Sequence, residues 1–490
     1  MSRYIIALDQ STSASKVFLL DHQGMIVRRF NKSHEQFYPR PGYVEHDANE
    51  IWTNVIEGIA AVSQGILAAD IAALSISNQR ETTVVWDRET GIPVAKAIVW
   101  QDVRGTELCG TLAEHADAVT AKTGLALSPY YPAAKAASLF AELPELAERV
   151  DKGELCVGTI DSYLVYRLTN GQSFLTDVSN ASRTELFNIH SLAWDSELCG
   201  WFGVAQHCLP KVISSDGDFG LTSYHGIPQG IAITGVMGDS HAALFGQGCL
   251  KPGMVKATLG TGSSVMMNVG CNVPVSNSGF SASVGFGFKG QTCYVLEGNI
   301  TCSADTLVWL RNEAKMVSDI NQIEKIADGL PGTEGVYLVP AFSGLGAPYF
   351  DNDARAAIVG MNRSTSSAHI ISAALESIAY QEADIIAAMR QDSSETLSEL
   401  RVNGGPTQNK FLMQLISDLL DCSVQCCAQS ELSALGAGYM AGITTGLFSD
   451  LESIPANQLK GVVYQPVMKQ TQRDALLSGW HNAVAKCLSK

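Results

Sequence analysis

The stretch Tyr4-Ile-Ile-Ala-Leu-Asp9-Gln-Ser11-Thr12-Ser13-Ala-Ser-Lys16-Val-Phe-Leu-Leu20 reads as strand, small-residue turn, strand. Its apolar runs are strand-like, and the hydroxyl-rich tip between them has turn chemistry. The same design returns about 250 residues later. Met254-Val-Lys-Ala-Thr-Leu259 leads into Gly260-Thr261-Gly262-Ser263-Ser264, and Val265-Met-Met-Asn-Val269 follows. Two β-turn-β units with Thr and Ser at their tips imply a duplicated α/β architecture. Two similar domains would flank a central cleft, each offering one hairpin able to hold phosphate. Gly and Pro cluster between Gly246 and Gly253, which sets the expected domains at 1–246 and 247–490.

The neighbouring segments fit that plan. Met25 to Phe30 reads as a third strand, and Asn49 to Leu67 as a helix with Ile51, Val55, Ile56 and Ile59 on one face. In the second half, His369 to Arg390 reads as a helix and Leu397 to Val402 as a strand. Asn403-Gly404-Gly405-Pro406 follows, then a helix from Asn409 to Leu420, which places Asn409 inside the helix. Strand, Gly-Gly, helix lets a flat or phosphorylated ligand approach the backbone closely. Gly405 and Asn409 therefore suit a nucleobase or ribose.

A net charge of −16 excludes a general nucleic-acid or anionic-membrane binder, since both require a basic surface. An anionic nucleotide would be held by local amides, hydroxyls and a metal. The 12 cysteines contain no C-x-x-C pair, which points to free thiols in a reducing compartment. The first apolar run is stopped by Asp9, too short for a signal sequence or a membrane span. A cytoplasmic protein without membrane insertion is the expectation.

Four elements carry candidate chemistry. Ser77-Asn-Gln-Arg80-Glu81-Thr-Thr83 ends an apolar run, with Trp100 shortly after. Arginine donors and glutamate acceptors together suit a polyhydroxylated molecule, and a Trp can wall its carbon side; a structural ion pair beside a turn is the alternative. In the first turn, Thr12, Ser13 and Lys16 suit phosphate oxygens and Asp9 a water-bridged magnesium, although Ser/Thr turns are commonly just turns. Thr261 is the counterpart in the second. Asp239, after the strand ending at Gly238, falls at a helix N-terminus, suited to a base or simply to an N-cap. His241 reads as a packing residue. No Walker loop, G-x-S-x-G elbow or histidine metal spacing occurs.

In this order, these elements resemble the FGGY carbohydrate kinases, and within them the branch that phosphorylates glycerol. The similarity runs through about residues 4 to 480. It includes Pro41-Gly-Tyr-Val-Glu45-His46-Asp47, Asn78 to Thr83, Ser179-Asn-Ala-Ser-Arg183-Thr184, Pro340 to Tyr349 and Ala374 to Gln381. The family's second signature, from Ala356 to Glu376, is intact. The first, around Tyr130 to Lys135, is altered, with Ser138 for the usual Trp.

The resemblance implies two actin-like (ribonuclease H-like) domains with the active site between them, ATP and Mg²⁺ as cofactors, and a homodimer. Arg80, Glu81, Trp100, Tyr130 and Asp239 fall on polyol-binding positions, and Asp239 on the general base. Thr12, Ser13 and Lys16 fall on the first phosphate hairpin, Thr261 on the second, Gly405 and Asn409 on the adenosine site, and Asp9 on the magnesium aspartate. Several positions depart from the family: Ser240 for a Gln beside the base, Ser264 for a Phe of the polyol pocket, Ser11 for a hairpin Gly, Lys16 for Arg, and Val308 for a nucleotide-site Gln. Two large walls becoming serine imply a wider, more polar pocket, so a tetritol, pentitol or ketose is the alternative to glycerol. A catalytically silent sugar or nucleotide sensor is a further alternative. His225 stands at a position that some relatives use for regulatory phosphorylation, and a plain loop histidine is the other reading.

Overall fold

The computed structural model describes residues 3–427, 429–451, 453 and 461–489. In the first half, β1 (Tyr4–Gln10), β2 (Ala14–Asp21) and β3 (Ile26–Ser33) form an antiparallel meander. β4 (Ile71–Asn78) and β5 (Ala232–Gly238) extend it in parallel, giving the order β3-β2-β1-β4-β5. The second half holds β6 (Met254–Leu259), β7 (Ser263–Asn268), β8 (Ser281–Phe288), β9 (Gln291–Ile300), β10 (Glu399–Asn403), β11 (Val424–Cys426) and β12 (Val463–Tyr464). Their order is β8-β9-β7-β6-β10-β11-β12. Without the outer strands β8 and β12, the sheet repeats the order and the directions of the first. The repeated hairpins thus mark a repeated sheet.

Alternation along β1 and β2 explains how each sheet is covered. Ile6, Leu8, Val17 and Leu19 pack outward on α1 (Ala48–Ser63), against Ile51, Val55 and Ile59. Ile5, Ala7, Phe18 and Leu20 face inward, toward the other half of the chain. The Asp47 carboxylate caps α1 by accepting from Asn49 N–H. The helix ends at Ser63, short of the expected Leu67, because Gly65 turns the chain with φ +73°. The strands run further into the hairpins than their composition implied: Asp9 pairs with Lys16 and Gln10 with Ser15, leaving a three-residue tip at Ser11–Ser13. Likewise Ser263 and Ser264 belong to β7, not to the turn.

Two helices fill the seam between the sheets: α2 (Asp239–Gly246) and α5 (Leu432–Thr444). Between them in sequence lie α3 (Ser367–Ser393) and α4 (Lys410–Leu420), which cover the second sheet. α2 and α5 cross almost backbone to backbone. A Cβ on Gly436 would stand 1.8 Å from the Ala242 carbonyl oxygen, so only glycine permits this approach. Met237, Ala242, Phe245, Met266, Ala437 and Met440 join both inner faces into one core here. Gly436→Val should therefore push the halves apart. We expect a loss on the order of 3 kcal/mol or more, read as a lowered melting temperature. Gly110→Ala, at an open helical position where nothing lies within 4 Å, serves as the comparison.

Candidate active site

The cleft floor is made of charges from both halves. β4 ends in Asn78, and Asn78 and Asn180 exchange reciprocal amide hydrogen bonds at 2.9 and 3.0 Å. That exchange pins the strand end to the short helix Val178–Ala181, which the Asp177 carboxylate caps. Just beyond, Thr82 N–H closes a tight turn onto the Arg80 carbonyl (2.7 Å), with Glu81 at its centre at φ +61°. A non-glycine residue held there stores strain. Arg183 Nε offsets it by donating to Glu81 Oε1 at 2.7 Å.

Arg80 is where the structure departs from the expected Arg–Glu couple. Its Nη1 and Nη2 donate to both oxygens of Glu297 on β9, at 2.8 and 2.9 Å, while Glu81 lies 3.9 Å from Nε. Arg183 also approaches Glu297, at 3.3 Å. Burial alone would raise the Glu297 carboxyl, but the two guanidiniums hold it far below the usual range. Arg80 Nε is buried as well, 3.3 Å from Asp239 Oδ1 yet without an aligned hydrogen-bond partner. Asp239 opens α2, and its Oδ1 accepts the Ser240 N–H at 2.6 Å. Its carboxyl is shifted upward, first by burial and then by Glu81, against the pull of Arg80. Lys256 is buried beneath, its ammonium shifted downward by burial and partly restored by Glu297.

The wall and the first hairpin are one hydrogen-bonded unit. Trp100 Nε1 donates to Thr12 Oγ1 at 2.9 Å, and Trp100 N–H donates to Thr82 Oγ1 at 3.3 Å. Thr82 donates to Gln79, which donates to Gln10. Tyr130 stands 5.8 Å from the Trp100 ring, its loop carbonyls held by the buried Lys135 ammonium. Asp9 shares the inner face with Lys16, and Ser77 Oγ donates to it at 3.0 Å. Burial, with Asp239 and Glu431 nearby, lifts the Asp9 carboxyl to about 7 despite Lys16. Lys16 itself is not free at the tip: it pairs with Glu431, just ahead of α5, at 3.0 Å. Ser13 and Thr261 are exposed at the two hairpin tips.

Among the described residues no group of three or more His, Cys, Asp or Glu side chains could cage a metal. A lone buried carboxylate with oxygen chemistry suits magnesium carried on nucleotide phosphates, so Asp9 fits that ion. A cavity of about 320 Å³ in the second half is lined by Gly405, Asn409, Val308, Leu307, Ile320 and Leu375. Gly404, just ahead of Gly405, turns the chain at φ +110°, where a Cβ would meet the Leu259 carbonyl at 1.9 Å. Asn409 is the N-cap of α4, accepting from Leu412 N–H, rather than a residue inside the helix. Ser240 and Ser264 are half-buried. His225 lies in an exposed turn, on a loop whose Tyr224 packs on Trp52. His241 is fully buried, its ring 3.3 Å from Ser283 Oγ, as a packing residue should be. Sequence reasoning passed over Glu297, Lys256 and Glu431. The one available signal for Glu297 was a lone acid inside the apolar run Cys293-Tyr-Val-Leu-Glu297.

Two repeated sheets, each with a hydroxyl-tipped hairpin, and a buried charge cluster between them belong to a phosphotransferase of the actin-like ATPase fold. The FGGY family of carbohydrate kinases, N-terminal domain, matches residues 4–246, and the C-terminal domain of that family matches residues 255–445. The chain belongs to the FGGY family of carbohydrate kinases. It is 44% identical to Glycerol kinase 1 of Thermotoga maritima, over 99% of this chain and 100% of that protein. It is 42% identical to a glycerol kinase of Enterococcus faecalis, over 99% and 97%. Plasmodium falciparum glycerol kinase with ADP superposes with a TM-score of 0.94 at 34% identity, covering 100% of this chain and 99% of that one. Xylulose kinase from Lactobacillus acidophilus, 22% identical with a TM-score of 0.85 over 98% of each chain, shares the fold.

Two consequences are testable. Glu297→Ala leaves Arg80 and Arg183 buried without their shared carboxylate, which should cost about 3–5 kcal/mol in a chemical-denaturation or thermal-shift series. Beneath the second hairpin, Glu382 is fully buried, and burial lifts its carboxyl from the ordinary 4.5 to about 7 against the opposing pull of Ser263. The folded chain thus keeps a proton that the unfolded chain releases. Stability from this group is complete below about 4.5 and is lost as the pH rises through about 7. Glu382→Gln should flatten the fall in melting temperature across that window, an effect on the order of 3 kcal/mol. An unchanged slope would remove Glu382 from the account.

Proposed function

We propose that this chain transfers the γ-phosphoryl group of ATP to a primary hydroxyl of glycerol, giving glycerol 3-phosphate. The observation that carries the reading is the Asp239 carboxylate, 36% exposed while held 3.3 Å from the buried Arg80 guanidinium. An alcohol hydroxyl set against it can donate to the carboxylate, with the guanidinium charge beside it. The names of the relatives over the full chain support glycerol as that alcohol.

Asp239 acts as general base, taking the hydroxyl proton as the oxygen attacks. Its raised proton affinity suits it to receive that proton. Arg80 and Glu81 orient the remaining hydroxyls, Trp100 and Tyr130 wall the carbon side, and Ser240 and Ser264 border the pocket. Thr12 and Ser13 hold the transferring phosphate from one side and Thr261 from the other, with Gly405 and Asn409 at the adenosine. Lys16 offsets the charge of Asp9. Magnesium, when bound through Asp9, neutralises nucleotide charge. Catalysis of this kind rests chiefly on positioning and fixed charges.

This reading takes residues 1–246 and 247–490 as the two lobes, working as a cytoplasmic homodimer. His225 is a surface histidine open to phosphorylation, and incubation with a phosphocarrier protein would register it. In a coupled ADP-release assay, ATP turnover should depend on glycerol. Asp239→Asn should lower kcat about 10²–10⁴-fold while glycerol binding stays close to that of the parent. Turnover indifferent to glycerol sinks the substrate, and a parental kcat in Asp239→Asn sinks the base.

A further inference from the structure

Two enclosed histidines stand behind the first hairpin. His34, just past β3, and His46, just ahead of α1, lie with ring centroids 4.5 Å apart, edge to face at 72°. His34 Nε2 is 3.0 Å from the Thr12 carbonyl oxygen. A carbonyl only accepts, so this nitrogen carries the hydrogen and His34 is the Nε2–H form. The backbone N–H of His34 also donates to the Ser13 carbonyl, at 3.3 Å.

The form of His46 follows from the other side of the tip. Gln10 Nε2 donates to the Ser11 carbonyl at 2.8 Å, which fixes that amide and turns its oxygen to Gln79. Gln79 must then present its NH₂, which donates to Gln10 at 3.0 Å and faces His46 Nδ1 at 3.4 Å. Nδ1 is therefore a bare acceptor. His34 Nδ1 and His46 Nε2 are shut from solvent without a hydrogen-bond partner. A second proton on His34 would find no acceptor, and one on His46 would meet an amide N–H. Both rings are neutral in the folded protein.

The carbonyls of Ser11, Thr12 and Ser13 are thus all tied back, and Trp100 holds the Thr12 hydroxyl oxygen as well. Among the described residues the N–H groups of Thr12 and Ser13 have no partner in the protein. A turn with engaged carbonyls and open amides draws phosphate oxygens in, whereas loose carbonyls would repel them. We propose that His34 is a positioning residue for the nucleotide phosphates, holding the tip amides open only while the His34–His46 pair is neutral. This rests on the kinase reading above.

Few charges face the pair. Glu50, in the first turn of α1, favours a proton on His34, but burial outweighs it and holds this imidazole below the ordinary 6.5. His46 is pushed down to about 3, by burial and then by His34. Glu45 and Asp47, on either side of His46, are committed to Arg104 and Lys96, and Glu35, beside His34, is exposed. The tip is therefore fully held above about 6.5 and is released as the pH falls through the lowered value of His34.

The test measures MgATP affinity by calorimetry in the parent, His34→Phe and His34→Gln. Phenylalanine keeps a ring and loses the donor, whereas glutamine sets an amide nitrogen where Nε2 stands and does not titrate. At about pH 7.5, His34→Phe should bind MgATP about tenfold more weakly than the parent, and His34→Gln within about threefold of it. Toward about pH 5, the parent should lose at least about threefold more affinity than His34→Gln, a ratio in which titration of ATP, Asp9 and Asp239 cancels. Parental affinity in His34→Phe, or a parent-to-glutamine ratio that ignores pH, overturns the proposal while glycerol-dependent ADP release by the parent keeps the kinase reading. If His34→Phe misfolds, the ratio decides alone. ADP release indifferent to glycerol, with the affinities as expected, overturns the substrate and supports His34. No MgATP binding by the parent overturns both.

Discussion

Arg80 gives two donors to a carboxylate that comes from the other half of the chain, and the rest of the cleft is arranged around that contact. A buried charge pair is costly to assemble and more costly to break. The two sheets must therefore meet in the one register that brings β4's end opposite Glu297. Arg183 shares the same carboxylate and holds Glu81 in its strained turn, so five charges become a single unit with Asp239. The unit fixes Arg80 on both sides: its terminal nitrogens hold Glu297, and its Nε lies 3.3 Å from the more open Asp239 carboxylate.

Positioning extends outward by hydrogen bonds rather than by packing alone. Thr12 at the hairpin tip receives Trp100, Trp100 rests on Thr82, and Thr82 on Gln79 and Gln10. Any shift of the first hairpin's tip is thus felt at Trp100 and at the turn after β4. For a reaction that depends on lining up oxygen and phosphorus, that coupling matters more than any one contact. The glycine-tight crossing of α2 and α5 does the same work at the hinge side, since helices in backbone contact cannot slide without losing the fit.

Electrostatics around the paired hairpins does not reverse the global field. The chain carries a net charge of −16, so phosphate is not drawn in by overall attraction. Asp9, Asp239 and Glu431 add local acid, and burial keeps Asp9 close to half-protonated near neutrality. The cations among them are committed elsewhere, Lys16 to Glu431 and Arg80 to Glu297. Local amides, hydroxyls and a cation arriving with the nucleotide are what can reconcile such a floor with a polyphosphate.

Several features were legible in the chain itself. Alternating apolar residues with hydroxyl-rich tips marked both hairpins, and their recurrence marked the doubled sheet, because strand periodicity and turn sterics are local properties. Asp239 at a helix start followed from the apolar strand that stops at glycine. Other features exist only in three dimensions. Glu297 lies 217 residues from Arg80, and Glu431 lies 415 from Lys16. No spacing rule links such residues, and the same arginine would suit a free ligand clamp or a structural tie equally well. The register between two sheets made it a tie. Local sequence dictates local shape through sterics and periodicity, whereas partners across a seam are chosen by how whole sheets pack.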